Sequence, residues 1–145
     1  MAVNVGQRNV PDTNANRKCE AVDKCHHLCR HVLNLTVNSK VLESPHADLA
    51  QRIRDLATET YLLTFAANRI DTRVKDSKKL KERLDGQDLA LTNLIWMEGL
   101  IPVAVSCFQW RKRKKQYWTQ LTKEAIDLVK AWHKSDMEMF GRNGV

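Results

Sequence analysis

The chain has 145 residues, of which 43% are hydrophobic and 28% are charged, so it is long enough for one domain with a substantial core and too short for two. Its composition is that of an ordinary soluble globular protein. Lysine and arginine number 24 against 17 acidic residues, which gives a formal net charge of +7. That excess favours association with a polyanion, through phosphate contacts and the release of counterions.

The sequence carries no evident signal for secretion or membrane insertion. Residues 1–16 lack the apolar stretch that a signal peptide needs. The longest uncharged apolar run, residues 99–110, is about half as long as a membrane-spanning helix. The four cysteines do not form the pattern of a disulfide-stapled secreted scaffold. We therefore predict a reduced, cytoplasmic protein with no membrane partner.

The chain divides into a tail, a helical domain and a short end. Residues 1–16 are rich in Asn, Gly, Asp and Pro and show no period that could bury one face, which predicts a disordered tail. Apolar side chains with a helical spacing begin near Arg17 and continue almost to the end. We predict one domain over residues 17–140 and a disordered end over residues 141–145.

Four amphipathic helices are predicted in this domain, over approximately residues 17–37, 45–70, 76–108 and 116–139. Ser44-Pro45 is a favourable start for the second, because serine caps a helix and proline suits its first turn. Short connections between such helices predict an all-α fold, an antiparallel up-down four-helix bundle. The expected core faces are, in chain order, Val22, Cys25, Cys29 and Val32; Leu49, Ile53, Leu56, Thr60, Leu63, Ala67 and Ile70; Leu80, Leu84, Gln87, Leu91, Leu94, Glu98, Ile101, Val105 and Phe108; and Trp118, Leu121, Ala125, Leu128 and Trp132.

The third predicted helix carries a second apolar stripe, on the side opposite Leu94. One face of a four-helix bundle covers only one such stripe, so we predict that the second is an oligomer interface. The alternative is an irregular segment in a monomer, because Gly99 and Pro102 lie inside the stripe and proline kinks or breaks a helix. The predicted interface residues are Leu89, Trp96, Leu100 and Val103.

Two clusters of cations predict nucleic-acid binding. The first is a run of five between the third and fourth helices, flanked by Trp110, Tyr117 and Trp118. Adjacent cations repel one another unless an anion offsets them, and aromatic rings can stack on exposed bases. The alternatives are a solvated face and a nuclear localisation signal. For Tyr117 and Trp118, we predict that the rings begin the core face of the fourth helix rather than stack on bases. The predicted residues are Arg111, Lys112, Arg113, Lys114 and Lys115 in the first cluster, and Arg69, Arg73, Lys75, Lys78, Lys79, Lys81 and Arg83 around the turn between the second and third helices.

Cysteine and histidine crowd the first helix without a convincing metal motif. Cys25 and Cys29 share a face and could chelate a metal, but structural zinc sites need four ligands that close around the ion. Both positions coincide with the apolar face, where thiols pack well, so we predict core packing and no metal. Phosphate loops, nucleophile elbows and paired acid–histidine motifs do not occur in the sequence. We predict a protein that is not an enzyme, with no cofactor.

Three stretches stand out in order along the chain: Leu49-Ala-Gln-Arg-Ile-Arg-Asp-Leu-Ala57, then Ala67-Asn-Arg69 before a basic turn, and Lys115-Gln-Tyr117 leading into a helix that ends Lys130-Ala-Trp132. In order and spacing they resemble the accessory variability determinant (Avd) proteins of diversity-generating retroelements. These belong to a wider group of four-helix proteins that includes the intervening-sequence proteins of bacterial ribosomal RNA genes. The likeness covers about residues 18–135. One departure is the missing aromatic-Pro-Arg turn, where the chain offers only Ser44-Pro45, and the other is the more apolar stretch over residues 99–108, which is followed by an added run of cations over residues 111–115.

The resemblance implies a homopentameric barrel of four-helix protomers with a basic surface. Its expected partners are the retroelement's reverse transcriptase and template-repeat RNA, with cDNA as a further candidate ligand, and the mutagenic chemistry belongs to the transcriptase. By position, Arg52, Arg54 and Arg69 match basic residues of the family's second helix, and Lys115 matches the lysine before its fourth. The alternative is a general four-helix RNA-associated or scaffold protein that has no transcriptase partner.

Overall fold

The structure, a computed structural model, describes residues 19–142, and these form helices with no strand among them. The prediction of an all-helical fold is confirmed. The predicted tail over residues 1–16 and the last three residues lie outside the described part, whereas residues 141 and 142 still belong to the last helix. The helices are α1 (Glu20–Leu35), α2 (Ser39–Leu42), α3 (Ala47–Arg69), α4 (Ser77–Phe108) and α5 (Lys112–Arg142).

The four long helices pack around one apolar core. Helix α1 contacts α3 and α5, helix α4 also contacts α3 and α5, and the single turn of α2 rests on α3. The predicted core face of α1 is confirmed, since all four of its named side chains are buried. Large side chains that fill the centre are Leu28, Ile53, Leu94, Met97 and Trp118.

The buried face of α4 is rotated from the predicted one. Leu84, Leu91, Glu98, Val105 and Phe108, which the spacing placed in the core, are only half-buried. A methyl group built on Gly86 would lie 3.5 Å from the Ala67 Cβ atom, so small residues face α3 and allow the two helices to approach closely. The side chains that α4 buries are Leu80, Arg83, Gln87, Ala90, Asn93, Leu94, Met97, Ile101 and Ala104.

Helix α4 continues without interruption through Pro102. Proline has no N–H group, so the carbonyl of Glu98 loses its usual helical donor. Pro102 itself is exposed, and the core beneath it stays intact. The alternative of a helix that breaks here is therefore wrong, and the predicted stripe keeps its helical register beyond residue 102.

The reversal between α4 and α5 is tight. Gln109 adopts a left-handed conformation with φ 54° and ψ 44°, and its N–H group donates to the Val105 carbonyl. The Trp110 N–H group donates to the same oxygen at 3.1 Å, a pattern of the Schellman type that ends a helix. Helix α5 then begins at Lys112, four residues before the predicted start, so most of the first cation cluster lies in a helical turn.

Candidate nucleic-acid interface

The run of five cations, residues 111–115, lies at the N-terminal end of α5 with every member exposed. The first turn of α5 contains no acidic residue. Among residues 19–142, none of the five lies within ion-pair distance of a carboxylate. The positive end of the helix dipole is here as well, which makes cations unfavourable. These charges repel one another and the helix end, and a bound anion would relieve both effects.

A groove of about 690 Å³ lies beside this run, between the α1–α3 connection and the α4–α5 junction. We call it the basic groove. Its lining includes Lys40 and His46 from the first connection and Arg111 and Lys114 from the second, and it includes no acidic side chain. The predicted up-down bundle already places the first and third connections at the same end of the molecule. Sequence reasoning still missed Lys40 and His46, because the helical spacing does not show which side chains of the two connections face each other.

Aromatic rings line one side of the basic groove. The Phe108 and Trp110 ring centroids are 5.0 Å apart with planes at 33°, and the Trp110 ring meets that of Trp118 edge-on at 6.0 Å. The Lys114 ammonium lies 6.0 Å from the centre of the Trp110 ring, within the range of a cation–π contact. Trp110 is half-buried, so part of its surface remains open.

Comparisons of the chain with protein family models, with curated proteins and with solved structures find no match. Any function proposed for the chain therefore rests on its own residues.

The second cation cluster is largely compensated by acidic neighbours. Arg73 pairs with Asp71 at 2.7 Å, and the hydrogen bonds from Arg73 lower the pKa of Asp71 to about 2. Two further lysines form helix-surface pairs, Lys79 with Glu82 at 3.6 Å and Lys81 with Asp85 at 2.9 Å. The cations of this cluster that are exposed and unpaired within residues 19–142 are Arg69, Lys75 and Lys78.

Arg83, predicted to contact nucleic acid, is only 3% exposed, so this prediction is wrong. Its Nε atom donates to Asp136 at 2.6 Å, and Nη1 donates to the carbonyls of Ala67 and Ile70 at 3.2 and 2.8 Å. Gln87 Nε2 donates to the same Asp136 oxygen at 2.6 Å. Arg83 therefore caps the end of α3 and ties it to α5. Arg83 comes three residues after Leu80 and four before Gln87, which places it on the buried face of α4. This spacing could have predicted its burial.

The resemblance selects three arginines of α3, and two of them, Arg52 and Arg54, differ in their surroundings. Arg54 donates from Nη1 to the Leu33 carbonyl at 3.1 Å and to Thr36 Oγ1 at 2.7 Å, so it holds the end of α1. Arg52 is exposed and its guanidinium lies 5.7 Å from the centre of the Trp96 ring. Only Arg52 of this pair is free to meet a ligand.

The thiols of α1 belong to the core, as predicted. Cys25 and Cys29 are buried, and burial raises the pKa of Cys25 to about 12. All four cysteines are free thiols. Among the residues that the structure describes, no group of three or more His, Cys, Asp or Glu side chains is placed to hold a metal ion.

The two aromatic residues after the five cations have different environments. Trp118 is completely buried, which confirms the reading of this ring as core. Tyr117 is exposed, and its hydroxyl oxygen lies 3.3 Å from His27 Nε2. The prediction that Tyr117 begins the core face is therefore wrong.

The predicted interface stripe on α4 is mostly uncovered. Leu89, Trp96 and Val103 are 56%, 53% and 48% exposed, whereas Leu100 is half-buried and packs against the core. On length and composition alone α4 could also cross a membrane, although a core helix of a soluble protein can meet the same criteria. The absence of a membrane partner stays a prediction.

His31 makes stability depend on pH. Burial, and then the charges of His27 and Lys114, lower its pKa below 6.5. The unfolded chain then binds the proton more readily, so this contribution to stability is complete above pH 6.5 and is lost as the pH falls below that value. The free energy of unfolding should decline between pH 7 and 5. We expect His31→Phe to make this decline shallower, by at most about 1.4 kcal/mol per pH unit. Urea denaturation across this range measures it, with His26→Phe as the exposed control; equal slopes for His31→Phe and the native protein would contradict it.

Proposed function

We propose that the four long helices form an antiparallel up-down bundle, with α2 as part of the first connection. Contacts between α3 and α4 support this arrangement. Arg52 near the start of α3 meets Trp96 late in α4, and Glu59 accepts a hydrogen bond from Asn93. Arg83 near the start of α4 donates to Ala67 at the end of α3. Positions that advance along α3 therefore meet positions that recede along α4.

We propose that the protein is a cytoplasmic, non-enzymatic accessory subunit that binds RNA through residues 111–115. The observation that carries this proposal is five exposed cations at one helix end with no carboxylate paired to them among residues 19–142. The resemblance to Avd proteins suggests the rest of the role. In that role the RNA is the template-repeat RNA of a diversity-generating retroelement, and the protein partner is the reverse transcriptase that performs mutagenic cDNA synthesis.

Filter binding of single-stranded RNA over 50–300 mM salt tests the RNA part. We expect log K to fall linearly with log[salt] with a slope of several units, because each neutralised phosphate contributes about 0.7 to 0.9. Absence of binding at 50 mM salt would overturn the proposal. A search of the neighbouring genes for a reverse transcriptase, followed by co-purification of the two proteins, tests the second part. RNA binding without that partner would favour the general RNA-associated alternative.

We propose further that copies of the chain associate through the outward face of α4. The support is that Leu89, Trp96 and Val103 remain exposed on an unbroken helix, since monomers rarely leave a long apolar strip open to water. The resemblance implies five copies. Arg52, stacked on Trp96, would lie at the edge of such an interface.

A substitution pair tests the association. We expect the combined Leu89→Glu and Trp96→Glu variant to be monomeric at micromolar concentration, because two charges would be buried without partners. Light scattering coupled to size exclusion measures the mass. Leu62→Glu on α3 is the matched control, because Leu62 is 54% exposed and Leu89 is 56% exposed. A monomeric native protein, or dissociation by Leu62→Glu alone, would show that the face is wrongly assigned.

A further inference from the structure

We propose that the basic groove binds an unpaired nucleotide of RNA, with the phosphate on Lys40, Arg111 and Lys114 and the base against Trp110. This inference rests on the proposed RNA-binding function and adds a specific pocket and a strand preference to it. It also adds Lys40, a residue outside both cation clusters.

The charges of the groove come from two separate connections. Lys40 belongs to α2, whereas Arg111 and Lys114 flank the start of α5, and all three are exposed. Within residues 19–142 none of the three forms an ion pair. A concave surface lined by charges of one sign concentrates the electric field more than a flat one does. The groove therefore attracts a compact anion such as a phosphate more strongly than the surrounding helix surface.

The ring of Trp110 gives the groove a surface for a base. Phe108 and Trp118 pack against it, so it is held in one orientation before a ligand arrives. Stacking on such a ring is tolerant of sequence and contributes about 1–3 kcal/mol per base. An acidic peptide would use the cations and leave this ring unused, so the combination favours a nucleotide.

The size of the groove favours an unpaired strand. A volume of about 690 Å³ falls in the range of small-molecule pockets, roughly 300–1,000 Å³. A duplex keeps its bases stacked on one another, and single strands expose the base faces that aromatic side chains use. A double helix could meet the rim cations without placing a base in the groove.

Fluorescence and anisotropy titrations of the full chain test the proposal. The probes are a labelled 12-nucleotide oligouridine, a 12-base-pair RNA duplex and an oligo-aspartate peptide. We expect the single strand to bind at least about 10-fold more tightly than the other two, and to quench tryptophan emission. Trp110→Leu should abolish most of the quenching and weaken binding about 10-fold. Lys40→Gln should weaken binding about 3-fold and lower the salt slope by up to about 0.7.

Lys130→Gln is the control, because Lys130 is exposed on α5 and lies outside the groove; we expect it to bind like the native protein. Lys40 is exposed, so its variant stays informative if Trp110→Leu fails to fold. One outcome would overturn the groove as the binding site and leave the proposed function standing. In it, Lys40→Gln binds RNA with native affinity, and neutralisation of residues 111–115 weakens binding. Equal binding of the duplex or of oligo-aspartate would also overturn the groove. If no RNA binds, both the nucleotide site in the groove and the proposed RNA-binding function are wrong.

Discussion

Replacing all five residues 111–115 by glutamine is expected to weaken RNA binding at least about 100-fold at 0.1 M salt. Each lost phosphate contact removes up to about 0.9 from the salt slope, so the remaining dependence should be shallow. The same change should leave stability unchanged or raise it by about 1 kcal/mol, because it removes cations from the positive end of α5. Filter binding and urea denaturation together measure these opposite trends.

A matched pair of triple variants controls for net charge. Arg111, Arg113 and Lys115 changed to glutamine remove three charges from the run, and Lys123, Lys130 and Lys134 changed likewise remove three exposed charges from later in α5. We expect the first triple to weaken binding about 10-fold more than the second. Equal losses would show that total charge, rather than this site, governs affinity. No loss in either variant would mean that the run is a solvated face.

Asp136→Ala is expected to lower the free energy of unfolding by about 3–5 kcal/mol. Arg83 and Asp136 are 4% and 6% exposed at their side chains, and removal of one member leaves a buried charge without its partner. Gln87 would also lose an acceptor. Urea denaturation monitored by circular dichroism measures the loss.

Two further variants separate the buried pair from ordinary surface pairing. Asp85→Ala removes the exposed partner of Lys81 and should cost no more than about 1 kcal/mol. Arg83→Met combined with Asp136→Leu should be more stable than Asp136→Ala, because no unpaired charge remains. A loss below 1 kcal/mol in Asp136→Ala would contradict the structural role given to Arg83.

The sequence predicted the helices well because their apolar spacing is a local property. The core face of α1 is visible in Val22, Cys25 and Val32, whose positions depend only on helical geometry. The face of α4 was less predictable, since its buried side chains meet partners on two other helices: Asn93 donates to Glu59 of α3, and Met97 accepts from Thr122 of α5.

The site was predicted only in part, because its components come from distant parts of the chain. The five consecutive cations are evident in the sequence, but the groove needs Lys40 and Arg111 to meet across two connections. The burial of Arg83 depends likewise on Asp136, 53 residues later. Helical spacing places Arg83 on the same face as Leu80 and Gln87, but it does not show that a carboxylate of another helix lies there to pair with it.

The connection between α4 and α5 has only three residues, and it restricts the conformational freedom of the adjacent cations. Gln109 turns the chain through its left-handed conformation, and the backbone is helical again by Lys112. A flexible basic segment would lose conformational entropy when it binds its ligand. Here, much of that entropy has already been lost during folding. A flexible segment of equal charge would attract its ligand equally at long range but would dissociate from it faster. The short connection between α4 and α5 should therefore lengthen the lifetime of the complex.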